Sequence, residues 1–258
     1  MQIPSFSHLE EILLEMEPIT LEEMSGVKLM NRIDTKFLTS REKLVRLLRN
    51  ASENFMIQDS ENIRNSAYYT CYFDTKDVKM YYNHQRGKKS RRKVRIRQYL
   101  NSEVLPFLEI KDKNNKGRTK KKRVSMQEGT GITDYEDFIN RNSEFSSREL
   151  LPKIENRFNR ITLVNKEKSE RITIDTSLEF HNFATLIDIK LPELVIIEWK
   201  RDALSSQSHL KPLLRQLKIQ ESGFSKYVIG MALTDCTLPQ NRLKKKIRLI
   251  ENLINGRI

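Results

Sequence analysis

Between Arg91 and Tyr99 the chain reads RRKVRIRQY, with cations at 91, 92, 93, 95 and 97 and Val94 and Ile96 threaded between them. Strand side chains alternate between two faces, so Lys93, Arg95, Arg97 and Tyr99 share one face and Val94 and Ile96 the other. The same alternation puts Arg32, Asp34 and Lys36 together in RIDTKFLTS, Glu109, Lys111 and Lys113 in PFLEIKDK, Arg171, Thr173 and Asp175 in ERITIDTSLEF, and Glu198 and Lys200 in ELVIIEWKR. The recurring face is selectively basic, with single carboxylates beside lysine or arginine. Arginine forks take phosphate oxygens two at a time, and lysines add compact point charges. Isolated glutamates offer hard oxygen donors for a divalent cation. The anion that suits this chemistry is linear and rich in oxygens, a triphosphate or polyphosphate.

A sheet must present these faces. Strands are predicted at 32–40, 67–75, 93–100, 106–113, 120–126, 153–164, 170–180 and 193–201, with a hairpin turn at NNKG, 114–117. Helical periodicity covers 8–17, 20–31, 41–53 and short segments in 133–151, then 207–221, 225–234 and 240–255, while 76–92 reads as irregular. Strands dominate the middle, which argues for an α+β protein on a large, mostly antiparallel sheet. Alternation in one strand ordinarily means a solvated outer face. Across the whole set, the selective basicity and the edges of so many strands favour closure into a barrel lined by the ionic face. An anion would then balance charges that repel strongly in an enclosed space.

Composition agrees. The 258 residues carry 47 basic and 34 acidic side chains, a formal charge of +13 that implies a polyanionic partner. No run approaches eighteen apolar residues and the N-terminus carries no secretory pattern, so a cytoplasmic protein is expected. Cys71 and Cys236 have no metal-ligand spacing, the four histidines show no zinc pattern, and no glycine-rich phosphate loop is present. In RLKKKIRLIENLI, 242–254, Leu243, Ile247, Ile250 and Ile254 form a core-facing stripe beneath a solvated basic face.

In order, NRIDTKF, YFDT, RRKVRIRQY, FLEIKDKNNKGRTKKKRV, RFNRITL, RITIDTSL, IIEWK and FSKYVIGM resemble the VTC domain. This is the polyphosphate polymerase domain of the vacuolar transporter chaperone complex, within the CYTH-like triphosphate tunnel metalloenzymes. The likeness runs from about Asn31 to Leu233. It implies an eight-stranded antiparallel β-barrel over 31–235, an N-terminal helical segment at 1–30 and a C-terminal helix at 236–258 packed on the tunnel. It also implies transfer of the terminal phosphate of ATP to a growing polyphosphate chain, with Mn2+ or Mg2+. Pyrophosphate or phosphate would be the smaller partners, and no nucleic acid is expected.

Carried over by motif, Lys36, Arg95, Arg97, Arg160 and Arg171 would be catalytic. Lys111, Lys121, Lys200, Ser225 and Lys226 would bind substrate, and Glu198, assisted by Glu109, would hold the metal. Two departures stand out. Arg32-x-Asp34-x-Lys36 replaces the wider superfamily's E-x-E-x-K, and Gly223 stands where the polymerase can carry a lysine. A domain that binds polyphosphate or nucleotide as a sensor, without catalysis, fits the same residues. A basic nucleic-acid module would use the same cations, but it gives no reason for the paired strands EIK and EWK.

Overall fold

The computed structural model describes residues 6–25, 32–115, 118–202 and 208–257. Its strands are β1 (Pro18–Ile19), β2 (Arg32–Ser40), β3 (Phe55–Gln58), β4 (Ser66–Asp74), β5 (Arg91–Tyr99), β6 (Phe107–Lys113), β7 (Thr119–Ser125), β8 (Leu151–Asn165), β9 (Glu170–Asn182), β10 (Asp188–Leu191) and β11 (Leu194–Asp202). Its α-helices are α1 (Phe6–Glu15), α2 (Leu21–Ser25), α3 (Arg41–Ala51), α4 (Lys79–Gln85), α5 (Glu136–Asn142), α6 (Leu210–Gln216), α7 (Lys226–Thr234) and α8 (Lys244–Ile254). Among the described residues no helix is long and apolar enough to cross a membrane.

The main strands hydrogen-bond in the order β2-β11-β9-β8-β4-β5-β6-β7, each antiparallel to its neighbour. Off this path β10 pairs with β9, β3 pairs with β8, and β1 runs parallel to β3. The expected eight-stranded barrel is therefore corrected twice. The sheet has 11 strands, and it is not closed, because β2 and β7 end the path without pairing to each other among the described residues. A physical reason lies in β7, whose TKKKRVS is exposed at all but one position; such a lysine-rich edge resists further pairing. The free edge of β2 meets a strap instead. Phe37 bridges Glu221, and the Ser222 N–H donates to the Lys36 carbonyl at 2.8 Å.

Alternation dictates the packing. On the outer face of β2, β11, β9 and β8, residues such as Phe37, Ile174, Val195 and Ile197 are buried against Leu13 of α1, Leu44 and Leu48 of α3, and Leu214 of α6. Each such fully buried side chain contributes roughly 1.5–3 kcal/mol. Ser40 ends β2 and starts α3, its hydroxyl accepting the Lys43 N–H at 3.4 Å. Further along the sheet Val94, Leu108 and Ile110 are buried with Ile139 and Phe145 in a second cluster.

One irregularity shapes the inner face. The register of β8 and β9 shifts between Arg157 and Asn159, and Ser177 on β9 takes a φ of 51°. The extra residue is a bulge, which exchanges the two faces of the strand beyond it. Before it β9 presents Arg171, Thr173 and Asp175 inward; after it Leu178, Phe180 and Asn182 face that side. Helix α7 packs against β8 and β9 there, so closely that a β-carbon at Gly230 would lie 2.6 Å from Phe180 and 2.7 Å from Ile154.

The short strands β1, β3 and β10 and helix α4 were not legible in sequence. FMIQ of β3 is too short to show a period, and α4 lies in the stretch read as irregular. Asp74 caps α4 from the end of β4, accepting the N–H groups of Met80 and Tyr81 at 3.0 Å each. The helix expected at 20–31 is described as α2 alone, and the one expected at 207–221 as α6 alone. Residues 26–31, 203–207 and the tip 116–117 of the expected hairpin lie outside the described residues.

Candidate active site

Three carboxylates on the inner face each hold a cation directly opposite in register and a second one nearby. Glu198 on β11 faces Lys36 on β2, the ammonium 2.8 Å from Oε1, while Lys200 lies 3.2 Å from Oε2. Glu109 on β6 faces Arg95 on β5, which donates to Oε2 through Nε at 2.8 Å and lies within 2.6 Å of it through Nη2. Its Oε1 takes Lys121 of β7 at 3.2 Å. Asp175 on β9 faces Arg160 on β8 and receives both arms of its fork, Nε at 2.6 Å and Nη2 at 2.8 Å. Lys226, the first residue of α7, donates to the same carboxylate. Glu109 is 1% exposed and Asp175 6%, so each must stay paired to be tolerated there.

Two further cations of this face, Arg97 and Lys93, are held differently. Arg97 makes no ion pair among the described residues. Its guanidinium carbon lies 5.6 Å from the centre of the Tyr68 ring, and its buried Nε has no hydrogen-bond partner. Lys93 donates to the Ser225 hydroxyl at 2.9 Å, the same oxygen that accepts the Val228 N–H at 3.3 Å and so starts α7.

The electrostatics follow. Burial, with Lys111, Arg95 and Lys36 nearby, pushes the Lys93 ammonium down to about 7. Burial and the charges of Arg95 and Arg160 push Arg97 down to about 10. Burial alone would raise Glu109, but Arg95, Arg97 and Lys121 hold it at about 2. Burial is likewise outweighed at Glu198, which Lys200 and Lys36 keep far below the usual carboxylate range.

The strap 221–225 reports the shape. The Ser222 N–H donates to the Lys36 carbonyl on β2 and Ser225 accepts from Lys93 on β5, although these strands are far apart in the hydrogen-bonding order. So short a span joins them only if the sheet curls around its ionic face, the ionic cavity, where the charge of Lys36 reaches Lys93 and those of Glu198 and Lys36 reach Lys111.

Every residue singled out from sequence falls on this surface. Lys36, Arg95, Arg97, Glu109, Lys111, Lys121, Arg160, Arg171, Glu198 and Lys200 share it by register, with Arg171 opposite Lys200. Ser225 and Lys226 enter from the start of α7. Residues absent from the expected site are Asp175, Lys93 and two rings. Arg160 lies 5.0 Å from the centre of Tyr68, and the Lys226 ammonium 3.8 Å from that of Phe158. Alternation had already placed Asp175 and Lys93 on the right face; their pairings had no sequence signal. Arg92 belongs to the opposite face, pairing with Asp112 at 3.6 Å and with Glu144 beside a cleft of about 460 Å³.

Among the described residues no cluster of three or more His, Cys, Asp or Glu side chains gathers to hold a metal. Glu198 is kept ionised, but Lys36 and Lys200 occupy its two oxygens, so a divalent cation would have to displace one of these ammoniums to reach a hard oxygen donor there.

None of the curated proteins compared with the chain matches it in sequence. Among solved structures it is similar to HpAC1 of Hippeastrum, a candidate adenylyl cyclase with a dominant triphosphatase activity, at 15% identity, 81% coverage of this chain and 98% of that one, and a TM-score of 0.46. A candidate adenylate cyclase from Bacillus halodurans aligns at 14% identity, 76% and 96% coverage and a TM-score of 0.46. The model of the VTC domain matches residues 31–235, which is most of the chain and includes every side chain named in the ionic cavity, so this protein belongs to the VTC domain family.

Proposed function

We propose that the protein is a polyphosphate polymerase that transfers the terminal phosphoryl group of ATP to a polyphosphate chain. The observation that carries this reading is the partly buried pair Arg97 and Lys93, which make no ion pair among the described residues, on the ionic face of a curled sheet in a VTC domain. Enclosed like charges of this kind call for an anion.

An oxygen of the chain's terminal phosphate attacks the γ-phosphorus, the bond from that phosphorus to the β-γ bridging oxygen breaks, and ADP leaves with that oxygen's electron pair. The acceptor is already anionic, so no base is needed. Catalysis is then positioning and stabilisation of charge on the phosphoryl oxygens. Arg95 and Arg160, fixed by Glu109 and Asp175, present their forks at set angles, while Arg97 and Lys93 give unshared charge. Arg171, Lys36, Lys111, Lys121, Lys200 and Lys226 line the path of the anion, and Ser225 orients Lys93. A Mn2+ or Mg2+ ion at Glu198 would supply further charge neutralisation on the phosphates. Glu109, whose oxygens both serve Arg95 and Lys121, has an orienting part.

Purified protein given ATP and Mn2+ should release ADP and accumulate long phosphate chains. Tight triphosphate binding without chain growth would replace this reading with that of a sensor.

A further inference from the structure

Helix α8 lies wholly beyond residue 235, where the family match ends. Its Lys244, Lys245 and Arg248 are exposed, as a solvated basic face requires, but Lys246 is half-buried. Lys246 stands one turn before Ile250, which is 1% exposed, and residues four apart share a helix face. A lysine on the core-facing stripe therefore aims its ammonium inward. That ammonium donates to the Gly223 carbonyl and lies 3.7 Å from where a β-carbon at 223 would stand.

Two residues along the strap, Ser225 holds Lys93. The charge of Lys246 also reaches His84 of α4, whose imidazole is pushed down to about 3 by burial and by the charges of Lys93, Arg91 and Lys246. Lys246, itself lowered by burial, makes no ion pair among the described residues. One carbonyl uses a single ammonium proton, so two donors remain.

We infer that Lys246 is a phosphate-binding residue of the ionic cavity, supplied by α8, and that it grips the polyanion where the strap 222–225 meets β5. The identity of the ligand rests on the function proposed above, whereas the binding of phosphate oxygens does not.

The test is calorimetric titration of the full chain with inorganic tripolyphosphate, using Lys246→Ala, the neutral Lys246→Gln and, as a control of equal charge change on the same helix, Lys245→Ala. Loss of a charged hydrogen bond predicts about tenfold weaker binding in both Lys246 variants. Lys245→Ala should stay near wild type, and Lys246→Arg should restore much of the loss. Equal affinities for Lys246→Gln and Lys245→Ala, with melting temperatures matching wild type, would overturn the inference. If Lys246→Ala fails to fold, Lys246→Gln decides. Should the wild type bind tripolyphosphate through Lys246 yet build no chains from ATP, the polymerase reading fails and this one stands.

Discussion

Arg97 and Arg160 close on one ring, their guanidinium carbons 5.6 Å and 5.0 Å from the centre of Tyr68. The strand carrying Tyr68 lies between theirs, so the two charges meet over it. Arg160 is neutralised by Asp175 and Arg97 makes no ion pair among the described residues, so removing Arg97 costs the fold less than removing Arg160 would. Arg97→Ala should lower turnover by roughly 10²–10³, as loss of one preorganised donor does. Its melting temperature should equal or exceed that of wild type, because repulsion with Arg95 and Arg160 is relieved. Turnover close to wild type in a folded Arg97→Ala protein would remove the cavity from the mechanism.

Asp175 carries the opposite burden. It is 6% exposed and neutralises Arg160 and Lys226, which are 15% and 11% exposed. Asp175→Asn keeps the shape and removes the charge, leaving two confined cations facing each other. Breaking one partner of a buried ion pair costs about 3–5 kcal/mol, so chemical denaturation should show a loss of that order. Saturating tripolyphosphate should recover part of it, since the ligand brings its own negative charge. A loss that tripolyphosphate does not reduce would mean that the ligand binds elsewhere.

The cavity's residue types were legible in sequence because alternation is a local rule. Val94 and Ile96 fixed which way Arg95 and Arg97 point, and Ile172 and Ile174 did so for Asp175. Partnership was not legible. Whether Glu109 serves a metal or Arg95 depends on β5 and β6 lying in register, and Arg160 meets Asp175 only because β8 and β9 pair there. The open sheet was missed although the lysine-rich TKKKRVS carries the mark of an edge that resists pairing, because the recurring ionic face was read as the lining of a closed barrel. Nor does local pattern reveal the bulge at Ser177, which turns the far half of β9 to receive α7. RLKKKIRLIENLI shows the same limit. Its apolar stripe was correct, yet periodicity cannot tell that Lys246 shares the inward side.

Lys93 predicts a pH dependence. Its folded value is about 7 against an ordinary 10.5, through burial and the charges of Lys111, Arg95, Lys36 and Arg91. Between these values the unfolded chain holds a proton that the folded chain has released, so Lys93 makes stability rise with pH across that window. A bound polyanion reverses the preference and draws the proton back. The melting temperature of the free protein should therefore climb from pH 7 to pH 9 more steeply in wild type than in Lys93→Met. Calorimetry at pH 8 in two buffers of different ionisation enthalpy should show proton uptake on tripolyphosphate binding, diminished in the variant. Identical pH profiles would show that Lys93 does not titrate in this range.

Tyr227, next to Lys226, ties the cavity to the fold behind it. Its hydroxyl donates to Asp74, a fully buried carboxylate that also accepts the N–H groups of Thr75, Met80 and Tyr81. One side chain thus joins the end of β4, the start of α4 and the first turn of α7, from which Ser225 and Lys226 reach the anion path. Tyr227→Phe removes a single oxygen and leaves the ring that packs beside Tyr72. Losing a hydrogen bond to a buried acceptor costs about 1–3 kcal/mol, measurable as a lower denaturation midpoint. The first turn of α7 would then be held less firmly, so KM for ATP should rise severalfold while kcat, set by arginines on other strands, changes less. A fall in kcat with KM unmoved would instead place Lys226 at the transferring phosphoryl group.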